Sequence, residues 1–398
     1  MKKRYFLMLV VVFAFALQAY SQVTTSSLHG TIVDSENVPL PDATVVAVHV
    51  PTGTNYGSTT NIDGQVNIRN MRIGGPYKII VSFVGFQTQE LENVSLTLGQ
   101  TFDFDMTLVS DNQLEEVVLT TTGDNIFGGE RTGAETSIGR EAITTLPTIS
   151  RSAADFTRLE PSSTGNSFGG RNDQFNNFSL DGSIFNNPFG LDSPTPGGQT
   201  DAQPISLDAI DQISVSIAPY DVTQAGFTGA SVNAVTKSGT NEFHGTVYGF
   251  FRNESMTGDK VKGDKIFVPK LDQKQYGFSV GGPIIKNKLF FFANLEKDDR
   301  TDLGSSWVPN TGSGKINESR VLESDMIAVQ SFLSGLGYET GAYEGFVYGT
   351  ESLKGIFKLD WNINDKHRLA MVYNFLDASK EKPAHPTALG FRGPSAST

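Results

Sequence analysis

Apolar residues recur at every second position through much of this chain, the period of a β-strand with one buried face. In the run YKIIVSFVGF, Tyr77, Ile79, Val81 and Phe83 share a face. Two earlier β-prone runs, LHGTIVD and ATVVAVHV, are set apart by turn chemistry at Pro39 and Pro41, and Asp63-Gly64 marks a further tight turn. The pattern predicts a small β-sandwich over residues 28–109. Further along, the alternation returns with more aromatic residues. Phe243, Val247 and Phe251 share a parity, as do Tyr276, Phe278 and Val280, and then Leu289, Phe291, Ala293 and Leu295. In a fourth run Leu353, Phe357, Leu359, Trp361 and Ile363 face one way, while Lys354, Lys358, Asp360 and Asn362 face the other. Leu369, Met371, Tyr373 and Phe375 make a fifth. Strands of this kind, apolar and aromatic on one face, suit a transmembrane barrel.

The connections between these runs alternate in length. Residues 283–287 and 364–366 form tight turns, whereas residues 252–274 and 297–352 are long and polar. Short turns on one side and long loops on the other are the pattern of an outer-membrane barrel. Within the longer loop Leu322, Met326, Val329 and Leu333 recur at helical spacing and predict a short helix. Five strands cannot close a barrel, and open edges in lipid leave backbone groups unpaired, so the chain is expected to be the amino-terminal part of a longer protein.

Between the two β-rich regions lies a stretch dense in Asn, Gly and Phe. Its phenylalanines argue for an ordered, loop-rich body, because disordered tracts are poor in aromatics. One helical turn is expected there, capped by Ser152, holding Phe156 and Leu159 and stopped by Pro161. Two further β-like runs, 212–218 and 230–237, flank a turn-rich segment at 219–229.

Composition narrows the function. Lys+Arg 31 against Asp+Glu 43 gives a net charge of −12, the wrong sign for a phosphate-backbone ligand, so no nucleic-acid partner is expected. The absence of cysteine removes disulfides, thiolate metal sites and cysteine nucleophiles. His29 and His49 stand apart, and His244, His367 and His385 lack ligand spacing, so no metal, cofactor or catalytic residue is expected. Asp208 and Asp211 read as solvated turn acids. The start is more telling: Lys2, Lys3 and Arg4, an apolar run over 6–17 and Ala19-Tyr20-Ser21 form a secretory signal with its cleavage pattern.

The strings GTIVDSENVPLPDATVVAV, TGTNYGSTTNIDG and GPYKIIVSFVGFQTQE resemble the carboxypeptidase regulatory-like domain, which implies a transthyretin-like sandwich. Asn37 and Asp42 stand where that family usually has Gly, and Val66 where it usually has an aromatic residue. Next, GGR, SLDG and LDAIDQISVSIAPYDVTQAGFTGASVNAVTKSG resemble the plug domain of TonB-dependent receptors in their Oar-like branch. Arg171, Asp181, Gly182, Pro219, Gly229, Asn233 and Lys237 fall on that motif, with Ile210, Ile213, Val232 and Thr236 beside them. Ile217-Ala218-Pro219-Tyr220 replaces the usual Arg-Gly-Pro approach. The heptad Leu114, Glu115, Glu116, Val117, Val118, Leu119, Thr120 can be a last sandwich edge or a detachable strand; at this position it resembles the TonB box. That resemblance implies capture by a partner anchored in the inner membrane through β-strand addition.

The expectation is therefore a mainly β chain: a signal peptide at 1–21, a sandwich at 22–110, a linker with the TonB box at 111–123, a plug at 124–239 and barrel strands over 240–398. It implies a TonB-dependent outer-membrane receptor whose partners are the inner-membrane TonB complex, outer-membrane lipid and an extracellular solute such as a siderophore or glycan. An adhesin or structural envelope protein, anchored by the same strands without transport, is the alternative.

Overall fold

The computed structural model describes residues 24–110, 118–120, 135–187, 195–217, 227–364, 367–382, 389, 391–392 and 396–397. The signal peptide, Leu114 to Val117 and Pro219 lie outside the described residues.

The amino-terminal part is a two-sheet sandwich. One sheet holds β4 (Gln65–Met71), β1 (Ser26–Asp34) and β7 (Thr101–Leu108). The other runs β3 (Thr54–Thr59), β2 (Thr44–His49), β5 (Gly74–Ser82), β6 (Gln89–Leu96) and β8 (Val118–Thr120). The alternation in β5 does what its period requires: Tyr77, Ile79 and Val81 are buried, and Phe83 packs against the same core. Asn37 and Asp42 take positive φ, 61° and 57°, so the turns keep the left-handed geometry for which Gly is usual. The heptad's last three residues occupy the sandwich edge, pairing parallel with Glu90, Leu91 and Glu92.

The middle body is built on a five-stranded sheet. Its order is β11 (Ser183–Ile184), β10 (Asn177–Leu180), β13 (Ser231–Thr236), β12 (Ile210–Ser216) and β9 (Glu135–Ile138). Every residue of β12 and β13 is buried, polar ones included, because both faces are covered. Two short helices accompany it, α1 (Arg140–Thr145) and α2 (Ala154–Thr157). Sequence periodicity missed the first, which has only Ala142 and Ile143 on its buried side. The second is shorter than expected, and Ser152 does not cap it. Instead Asp155 Oδ2 accepts from the backbone N–H of Ser152 at 3.3 Å and of Ser150 at 2.9 Å, which pins the turn from inside. Leu159, expected on its apolar side, is 43% exposed.

The carboxy-terminal part is an antiparallel meander of five long strands in sequence order: β14 (His244–Asn253), β15 (Leu271–Ile285), β16 (Leu289–Leu303), β17 (Val347–Asn364) and β18 (His367–Lys382). The expected outward residues are outward: Val247, Phe251, Tyr276, Phe357, Trp361, Met371 and Tyr373 are all exposed. Inward positions are buried, among them Phe290, and Phe292 and Ile356 join the apolar core of the middle body. β16 and β17 overrun the expected loop boundaries, since residues 297–303 and 347–351 stay in the ladder. Hydrophobic alternation is silent there because the ladder needs only backbone partners once it leaves an apolar surround. The helix expected in the long loop is α3 (Glu323–Gly335), with Met326 buried.

Candidate functional site: the seam between wall, middle body and sandwich

The chemistry of the molecule gathers where these three parts meet. β17 presents Lys354, Lys358 and Asp360 on its inward face, and each is almost fully buried. A buried charge needs a partner, and each has one. Lys358 Nζ donates to Asp181 Oδ1 at 3.1 Å and to Thr236 O at 3.1 Å. Asp181 in turn accepts from Thr236 N at 3.1 Å and Thr236 Oγ1 at 2.6 Å. Asp181 can aim this way because the tight Asp181-Gly182 turn, with φ of 46° and 81°, joins β10 to β11.

Further along the wall, Lys354 Nζ lies 2.8 Å from Glu296 Oε1. Glu296 Oε1 also accepts from Gln275 Nε2 at 2.8 Å. Its other oxygen accepts from Ser206 Oγ of the middle body at 2.6 Å and from Tyr248 Oη at 2.7 Å. Arg151 of the middle body stacks over Phe250 with 3.6 Å to the ring centre. Together these contacts bind the middle body to the inner face of the wall.

The expected motif residues spread along the central strands rather than forming one pocket. Asp181, Gly182, Asn233 and Lys237 lie on or beside β10 and β13: Asn233 Oδ1 accepts from Ser179 Oγ at 2.9 Å, and Lys237 Nζ sits 3.6 Å from Asp208. Arg171 is exposed, in a turn closed by its N–H to Phe168 O at 3.0 Å. Gly229 lies at the Ser231 end of β13, where a Cβ would collide with Asn176 Oδ1. One expectation is corrected: Asp208 and Asp211 are not solvated. Their side chains are 14% and 12% exposed, and Asp211 is gripped by Arg140 at 2.5 Å, because the short helix α1 packs across β12. Sequence reading placed Lys354, Lys358 and Asp360 on one face but assigned them no partner. Glu296, Tyr248 and Ser206 are not singled out by the sequence, although Glu296 is the first carboxylate after two phenylalanines and an asparagine on the inward parity of β16.

The sandwich closes the seam from the end that carries the short turns. Arg72 reaches Asp360 at 3.1 Å, and Gln212 of β12 bridges the sandwich backbone, accepting from Leu98 N at 2.8 Å and donating to Leu96 O at 3.2 Å. Ile73, Leu98 and Val235 make a small apolar cluster between the bodies. Beside this contact His49 is 5% exposed, with Nδ1 2.6 Å from Thr52 Oγ1. Burial, reinforced by the Arg72 and Arg140 charges, lowers the pKa of His49 from 6.5 to about 3. The unfolded chain therefore binds a proton below pH 6.5 that the folded chain refuses until about pH 3. Stability is full above that window and is expected to fall as the pH drops through it, by about 2 kcal/mol at pH 5. Protection factors of β2 peptides, corrected for the intrinsic rate at each pH, should fall accordingly, and His49→Gln should flatten the dependence.

Among the described residues no group of three or more His, Asp or Glu side chains could hold a metal ion, and no helix is long and apolar enough to cross a membrane.

Comparison with known proteins agrees with this architecture. The family model described as a carboxypeptidase regulatory-like domain matches residues 27–109, and that of an outer membrane beta barrel domain matches residues 235–315. The chain thus carries an amino-terminal regulatory-like sandwich and, after the middle body, a segment that matches an outer membrane beta barrel domain. Within that class its likeness is to the TonB-dependent receptors, in their Oar-like branch. It is 23% identical over 371 residues to the TonB-dependent transporter Oar of Myxococcus xanthus, covering 88% of this chain and 33% of that protein. Among solved structures, the siderophore receptor PirA of Acinetobacter baumannii shares 18% identity over 64% of this chain and 33% of its own, with a TM-score of 0.41. The outer membrane transporter YddB of Escherichia coli shares 15% over 63% and 34%, with a TM-score of 0.43. The chain spans about a third of the length of these relatives.

Proposed function

We propose that this chain serves in a TonB-dependent receptor that binds an extracellular solute and moves it actively into the periplasm. In this reading the middle body is the plug. Residues 114–120 are the segment captured by the inner-membrane TonB complex, and the solute is of the siderophore or glycan class. The observation that carries it is the way the middle body is held. Its central strand is tied to the wall through Thr236, Asp181 and Lys358, a polar contact that can be exchanged for water. Phe292 and Ile356 add an apolar share to the same contact, but hydrogen-bonded pairs lose little when water replaces a partner, so the polar share is the part that can be broken and remade. The Oar relative, described as a TonB-dependent transporter, points the same way.

The test is genetic. With residues 114–120 deleted from the full-length gene, uptake-dependent growth is expected to be lost while the amount of protein in the outer membrane is unchanged. Growth at the parental rate would remove the coupling role.

A further inference from the structure

The sandwich does more in this structure than trail from the plug. We propose that it is a latch, docked across the periplasmic end of the plug–wall seam, and that tension on β8 (Val118–Thr120) releases it. The release step rests on the coupling role proposed above for residues 114–120; the docked state does not.

Three separate groups of contacts fix the docked position. At the centre, Arg72 pairs with Asp360, two residues along β17 from the lysine that grips the plug. Successive inward positions of one strand thus hold the two moving parts. On the plug side, Gln212 satisfies both the N–H of Leu98 and the carbonyl of Leu96, and Ile73 and Leu98 bury Val235. At the rim, Asn362 Nδ2 donates to Thr54 Oγ1 at 2.9 Å, Asn241 N donates to Pro51 O at 2.8 Å, and Arg368 stacks on Tyr56 with 3.9 Å to the ring centre. Together they border a half-open cavity of about 1220 Å³ lined by all three parts, including Tyr56 and Arg72 of the sandwich, Asp211 of the plug and Lys358 of the wall. A solute travelling along the seam would meet the sandwich at its exit.

The contacts are of a kind that can come apart. Apart from one three-residue apolar cluster and the Arg368–Tyr56 stack they are hydrogen bonds and ion pairs, the composition of an interface between parts that move. The route from coupling segment to latch is short. β8 is held to the sandwich by its pairing with β6 (Gln89–Leu96), and β6 ends at the carbonyl that Gln212 grasps. A pull on β8 therefore bears on the strand whose end is docked to the plug.

These 398 residues hold no cysteine, so with any cysteine elsewhere in the full-length protein replaced by serine a disulfide can report the docked state without background. In the full-length protein, Thr54→Cys with Asn362→Cys should cross-link under mild oxidation, read as a mobility shift in outer-membrane fractions. The yield is expected to be high in cells de-energised with a protonophore and about fivefold lower in energised cells. Deletion of residues 114–120 should restore the high yield in energised cells, and Arg72→Glu should lower it in every condition. Cross-linking no better than for Thr54→Cys paired with a cysteine at the exposed Ile62 would overturn the docked position. Equal yields with and without energy would overturn the latch, even where the uptake test upholds the coupling segment. An energy-dependent fall that survives the deletion would overturn release through β8, while the uptake test alone decides the coupling role of residues 114–120.

Discussion

Glu296→Ala is expected to destabilise the wall by about 3–5 kcal/mol, because it strands the Lys354 ammonium in a site that water barely reaches. The two side chains are 1% and 2% exposed, and Glu296 is the acceptor for Ser206, Tyr248 and Gln275 as well as the partner of Lys354. Removing it leaves one charge and three donors to be satisfied by rearrangement. The measurement is the denaturant midpoint of the full-length protein in detergent, followed by the change in electrophoretic mobility on unfolding. Glu296→Leu with Lys354→Met should recover most of the loss, since replacing both members of a buried pair by apolar residues is often nearly neutral. A drop under about 1 kcal/mol for the single variant would mean that water enters beside Lys354.

Ala234→Asp should have the largest effect on permeability. Ala234 is fully buried in β13, between β10 and β12, and a carboxylate there has no partner. Loss of this central strand takes away the acceptors at Thr236 that hold Lys358, and so detaches the middle body from the wall. The wall itself should persist, because its ladder runs between its own neighbouring strands. Cells carrying the full-length variant are expected to become sensitive to vancomycin, which intact outer membranes exclude. Unchanged sensitivity at normal surface abundance would show that the middle body does not close the passage.

Much of this architecture was legible in the sequence, and the parts that were not share a cause. Period-two alternation located β5 and all five wall strands, since each has one apolar face and one of another character. It also separated outward from inward residues in β17. It could not show that Lys354, Lys358 and Asp360 are buried, because a polar inward face reads the same whether it meets water or another part of the chain. The strands β12 and β13 were found from their β-prone composition, but with both faces covered they carry no alternation to reveal register. The helix α1 was missed because six residues with two buried positions make no periodic signal. Docking of the sandwich rests on residues far apart in the chain, Arg72 with Asp360 and Thr54 with Asn362, and no local pattern encodes such a pairing.

The way β17 carries its two grips also bears on how such proteins can be recombined. Asp360, Asn362 and Arg368 lie on the wall or its turn, yet each serves the sandwich. A sandwich grafted onto a foreign barrel would fold, because its core is self-contained, but it would hang free unless that barrel offered a carboxylate, an amide and a guanidinium at the matching places. The amino-terminal unit is thus portable as a fold and private as a fitting, and domain exchange between proteins of this architecture has to carry one wall hairpin along with it.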